Sequence, residues 1–223
     1  MNTEARRVRW QPAVALAAAL MAVGCGSVRY PQMYLLDLRP PAAPVESTGG
    51  NLGQLVVREF ACPDYLCDGR IVYRPTANEA GFYEYHRWAV SPRQMITESV
   101  AGGVRATALF NDVALRDPGA AVAYRLTGSI ERFEEVDDGR DVQAVCRLSA
   151  ELLDVRSKTI VWSHSETAAA PVMDRSVAGV VGSLSAATRT AVDALVASMT
   201  SRLAIEHRPD HRPATQSSNE VRR

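Results

Sequence analysis

Four cysteines are the residues of this chain best placed to do chemistry, and they sit in three different settings. Cys25 stands directly behind Ala22-Val23-Gly24, which follows a basic Arg6-Arg7-Val8-Arg9 start and an apolar run from Ala13 to Met21. That is the order of an export signal with small residues at its cut. A thiol at the new first residue is a nucleophile open to modification by a lipid donor. Plain secretion and an uncleaved membrane helix are the other two readings. The helix is the weaker, because roughly 11 to 13 apolar residues fall short of the ~20 that span hydrocarbon. Cys62 and Cys67 flank Pro63-Asp64-Tyr65-Leu66. In an exported, oxidising setting they can close a small disulfide loop if the backbone brings their Cα atoms within about 7 Å. Two free thiols are the alternative, and zinc is disfavoured because no His or Cys cluster supplies further ligands. Cys146 falls in an alternating strand, where a buried thiol behaves as a small hydrophobe.

Other reactive constellations are thin. A hydrolase needs a nucleophile, a base and an orienting group within reach of one another. Two of the four histidines, His207 and His211, lie in a polar tail, and His86 and His164 fall on predicted strands. There is no Gly-x-Ser-x-Gly elbow and no phosphate-cradling glycine loop, and Lys158 is the only lysine. Glu131, Glu134, Glu135, Asp137, Asp138 and Asp141 gather near a predicted hairpin tip, but their spacing is not that of an EF-hand. A solvated hairpin end, partly balanced by Arg132 and Arg140, is the expected state. These residues predict no catalytic site, no metal site and no cofactor.

The elements that must position these groups follow from composition and period. Basic and acidic residues balance at 25 each, with no basic block, which argues against nucleic-acid binding. Residues 1–24 read as the signal peptide and 25–53 as a lipidated N-terminus with a first strand, 33–38, and a Pro/Gly-rich loop. Residues 54–205 read as the remainder of one domain that includes the 33–38 strand. The run 206–223 is a polar tail lacking the apolar residues that offset ordering entropy.

Leu55 to Phe60, Ile71 to Arg74 and Phe82 to Trp88 are rich in β-branched and aromatic residues and predict three further strands. Ser91-Pro92 predicts a helix start with a serine cap, and Ile96, Val100, Val104 and Ala108 form its buried stripe. The Gly102-Gly103 pair inside it predicts close backbone packing. Val122 to Glu131 and Val142 to Leu152 alternate with the period of half-buried strands, joined through Asp137-Asp138-Gly139, and Thr159 to Thr167 completes an antiparallel meander with Ile160 and Trp162 on one face. Arg175-Ser176 opens a last amphipathic helix through Val177, Val181, Leu184 and Leu195. The predicted fold is α/β in the α+β sense: a mainly antiparallel sheet with two helices on one face, in the order ββββ-α-βββ-α.

Several segments together resemble one family. Tyr34-Leu35-Leu36-Asp37 soon after the cysteine, Tyr65-Leu66 followed by Ile71-Val72-Tyr73-Arg74, and Tyr85-His86-Arg87-Trp88-Ala89 before the Pro92 helix are similar to the ABC-type transport auxiliary lipoproteins of the paraquat-inducible protein C type. Cys62, Cys67 and Val90-Ser91 depart from that pattern. The resemblance implies that Cys25 is the lipidated residue, with anchoring to the periplasmic face of the outer membrane. It further implies a non-enzymatic adaptor that works with an MCE-domain protein and its ABC permease and ATPase in lipid trafficking, and assembles as a homo-oligomeric ring. Gly26 after Cys25 favours outer-membrane sorting. A structural or assembly lipoprotein of the export or secretin-pilot type is the alternative. The stretch holding Tyr65, Tyr73, Tyr83, Tyr85 and Arg87 is the expected partner interface, since aromatic and arginine side chains are favoured at binding hot spots; sheet packing is the competing explanation for the tyrosines.

Overall fold

The computed structural model describes residues 29–38, 52–116, 119, 122–137 and 139–206. The signal peptide with Cys25, the Pro/Gly-rich loop and the polar tail lie outside the described residues.

Among the described residues, eight strands and three helices follow in the order β1 (Gln32–Tyr34), β2 (Gln54–Val57), α1 (Asp64–Cys67), β3 (Arg70–Thr76), β4 (Glu79–Trp88), α2 (Pro92–Ala106), β5 (Asp112–Ala114), β6 (Val122–Asp137), β7 (Val142–Asp154), β8 (Thr159–Pro171) and α3 (Val177–Glu206). The fold class is the expected α+β, with α1 and β5 added to the predicted order. The β6–β7–β8 meander is antiparallel throughout, as is β3 with β4. By contrast β1 joins β4, β2 joins β5 and β6, and β3 joins β6 in parallel.

The regular half follows from alternation. Leu126, Ile130, Ala144, Cys146, Leu148, Ala150, Leu152 and Trp162 turn to one face and are buried there. Against that face packs α3, through Val180, Leu184, Ala187, Ala191, Leu195 and Met199. By length and composition Val177–Ile205 could cross a membrane, yet here its apolar side lies on β7 and β8. Its start is built from Ser176, whose Oγ accepts the Gly179 N–H at 3.1 Å, while Asp174 accepts both the N–H and the hydroxyl of Ser176.

Four local expectations change. Ser91 makes no side-chain cap bond; only its carbonyl serves the helix, accepting Met95 N–H at 3.1 Å. Of the glycine pair, Gly103 is the one in close packing, since a Cβ there would stand 3.2 Å from Val196 Cγ2, whereas Gly102 faces open space. Ala108 lies beyond the helix end with φ of 50°. A register shift between Leu152 and Leu153 pairs them with Trp162 and Ile160 respectively, which buries Trp162 and turns Ile160 outward.

Candidate partner-docking surface

β6 carries β7 along one edge. Its other edge is shared: β2 pairs with residues 122–126, Ala61 bridges to Ser129, and β3 pairs with Glu135 and Val136. The chain holds its line between these contacts through bonds from Arg58 N–H to Leu126 O, from Ala61 N–H to Gly128 O and from Ile130 N–H to Ala61 O, each 2.8 Å. Gly128 is required there, because the Phe60 ring lies where its Cβ would be. Phe60 N–H in turn donates to the buried Thr97 hydroxyl on α2 at 3.1 Å. Between Ala61 and β3 the chain leaves the sheet for the single turn α1. Cys62 and Cys67 are disulfide-bonded across it, their Cα atoms 6.3 Å apart, and Arg93 donates to the Cys62 carbonyl at 3.1 Å.

This excursion places Tyr65, 41% exposed, against the Arg74 guanidinium. Arg74 donates to Glu134 at 2.9 Å, and Arg132 donates to its other carboxylate oxygen at 2.9 Å. The Glu134 side chain is almost wholly buried between them. Its hydrogen bond raises the Arg74 pKa above the usual arginine value, outweighing the burial that lowers it. Beside the pair, Arg147 meets Glu131 at 2.6 Å. An open groove of about 560 Å³ runs alongside, lined by Arg74, Pro75, Thr76, Ala77, Arg132 and Val136 among others.

Tyr73 and Tyr83 lie elsewhere, their ring centroids 5.1 Å apart. The Tyr83 hydroxyl donates to Glu135. Burial first, and that bond second, push its pKa well above the usual tyrosine value. His86 stands edge-on to Tyr83, with its Nδ1 3.0 Å from the Tyr34 hydroxyl. The crowding reflects a wide bulge in β4, where Arg70 pairs with Arg87 but Val72 with Phe82. Arg87 donates to the Tyr83 and His86 carbonyls within it, at 3.1 and 3.0 Å.

Of the five expected interface residues, Tyr65 and Tyr85 are therefore the exposed ones. Tyr73, Tyr83 and Arg87 are half-buried and occupied with one another and with the backbone. The solvated acidic hairpin end is corrected at two positions, Glu134 and Glu135, which are both buried, while Glu131 and Asp141 are exposed. One signal was available for this, since Glu134-Glu135 sits between Phe133 and Val136 in a continuing strand, where adjacent residues face opposite ways. Cys146 is buried under α3; burial pushes its thiol up to about 12, against a hydrogen bond with Thr188. Among the described residues no group of three or more His, Cys, Asp or Glu is placed to hold a metal ion.

A mixed, mostly antiparallel sheet carrying one long helix defines an α+β domain, with an ion-pair network beside an open groove. The chain belongs to the ABC-type transport auxiliary lipoprotein component family, whose profile matches residues 34–198. Membership makes it an auxiliary component of an ABC-type transport system, in a family of lipid-anchored proteins with transporter partners. Among solved structures it is similar to a Xanthomonas campestris protein, at 24% identity and a TM-score of 0.66, covering 78% of this chain and 99% of that one. A second, uncharacterized protein is similar at 14% identity and a TM-score of 0.59, covering 76% and 99%. The PelC dodecamer of Paraburkholderia phytofirmans, at 17% identity and a TM-score of 0.43 over 71% and 94%, is too loose a likeness to carry an argument about assembly. A comparison with curated proteins finds no match.

Proposed function

We propose that this protein is the auxiliary subunit of an MCE-type ABC lipid-transport system, anchored through Cys25 to the periplasmic face of the outer membrane, and that it docks an MCE-domain protein there. The domain is residues 54–205 together with the 33–38 segment, of which only Met33 and Tyr34 lie in a strand, β1, preceded by a signal peptide at 1–24. The observation that carries the docking surface is Tyr65, exposed beside Arg74 of the Arg74–Glu134–Arg132 network, whose two arginines line the groove. A tyrosine held beside a fixed guanidinium gives a partner a large contact at little cost in side-chain ordering. Gly26 after Cys25 supports outer-membrane sorting, and the subunit works as a homo-oligomeric ring.

Mild in-cell cross-linking, detergent extraction and affinity capture of the C-terminally tagged protein, followed by mass spectrometry, tests this reading. It should recover an MCE protein with ABC components, and Tyr65→Ala should reduce that recovery about tenfold or more, as expected for a hot-spot truncation. A barrel or secretin recovered in their place would assign an assembly role. Recovery unchanged by Tyr65→Ala would remove the docking surface and leave the system assignment standing.

A further inference from the structure

The other exposed tyrosine belongs to a different surface. β1 forms an edge of the sheet and pairs only with β4, in parallel, with Met33 beside Arg87. Its alternation sends Tyr34 and Leu36 inward and leaves Met33 57% and Leu35 58% exposed, with Tyr85 on β4 40% exposed. Edge strands are ordinarily guarded by charged side chains, bulges or a covering element. β1 itself, Gln32-Met33-Tyr34, carries no charge, and Asp37 beyond it is turned away to Ser185 and Arg189 of α3.

We infer that Met33, Leu35 and Tyr85 form the face on which the domain rests against the membrane holding its anchor. The length of chain ahead of β1 selects this occupant. Gln32 lies seven residues after Cys25, and seven residues reach at most ~25 Å when fully extended. A lipid on Cys25 therefore holds β1 close to the bilayer surface whatever path the tether takes. The chemistry of the patch suits that position. Methionine and leucine gain by leaving water, and tyrosine is favoured at the membrane–water boundary, where its ring meets apolar and its hydroxyl polar surroundings.

This inference rests on the proposed lipidation of Cys25, and the test separates the two. The full-length acylated protein is reconstituted into phosphatidylethanolamine–phosphatidylglycerol vesicles with bromine at defined acyl-chain depths, and flotation is measured together with tryptophan emission. Leu35→Trp is compared with Ile160→Trp, an exposed position on β8. Both are read against the unsubstituted protein, whose Trp88 and Trp162 are buried. The expected result is flotation of all three, with emission lost for Leu35→Trp, most strongly to shallow bromines, and kept for Ile160→Trp. Flotation with no quenching of Leu35→Trp overturns the membrane face while leaving the anchor intact; if the emission is also blue-shifted, a second copy or another protein covers the patch. Equal quenching at both positions overturns it too, since contact would then not be specific to β1. Loss of flotation overturns the anchor and this inference with it.

Discussion

The two edges of β6 are built in opposite ways. On one, β7 follows it in antiparallel register from Asp137 back to Tyr124, with a single shift between Ile130 and Arg132. On the other, β2, an isolated bridge at Ala61, and β3 share the same strand, separated by a disulfide-closed excursion. The continuous edge supports a dry layer of Leu148, Leu152 and Cys146 under α3. The interrupted edge carries the buried Glu134 carboxylate, the two arginines that hold it and the exposed Tyr65. Apolar packing thus concentrates where the ladder is unbroken, and polar groups gather where it is interrupted.

The largest test of that contrast is Glu134→Ala, which leaves two guanidinium groups around an emptied site. Losing one partner of a buried ion pair costs about 3–5 kcal/mol, and urea unfolding should show it. A loss below about 1 kcal/mol, the range of surface pairs, would place the network on the surface energetically. On the continuous edge, Leu148→Ala should cost about 2–4 kcal/mol through the lost side chain and the cavity left behind. Its effect should reach the whole meander in amide exchange.

Replacing Cys62 and Cys67 by serine should cost about 2 kcal/mol on the chain-entropy estimate for so short a loop. Exchange should quicken around residues 58–76 while β7 and β8 keep their protection. Uniform loss across both edges would show that the two halves unfold as one unit. The smallest effect belongs to Asp174. Its bonds from Ser176 lower its pKa below the usual carboxylate value, so its contribution is complete above pH ~3.9 and fades as pH falls through the lower folded value. Asp174→Asn should flatten that acid limb slightly in a thermal-melt series, with a small loss near neutral pH that disappears at the acid end.

The same contrast separates what could be read from the chain. β6, β7, β8 and α3 announce themselves by alternation and by a capping serine, because each element's burial repeats locally along its own residues. β5 is only Asp112-Val113-Ala114 and has no period to detect. The parallel pairing of β1, β2 and β3 depends on neighbours brought together by the fold. Glu134 reads as a solvated residue in the sequence because its partner Arg74 lies 60 positions away. Ile160 was misplaced because one shift in register reverses a face, and no residue type marks that shift. As for the site, Tyr65 and Tyr85 were chosen for their chemistry, and the fold sets them on separate surfaces. Arg87 was chosen on the same grounds and instead braces the bulge of its own strand.

The segment after β1 gives the domain a mechanical property. Leu36 N–H meets the Met95 sulfur on α2 at 3.5 Å, and Asp37 receives the Arg189 guanidinium on its carbonyl and gives its own N–H to Ser185 on α3. Tension arriving from the N-terminal side therefore enters at a strand whose bonds to β4 share the load when pulled lengthwise, and meets a clasp on both helices beyond it. Single-molecule stretching from that end should register an early rupture at β1 and a later, stronger one when the clasp gives way. Arg189→Ala and Ser185→Ala together should merge the two.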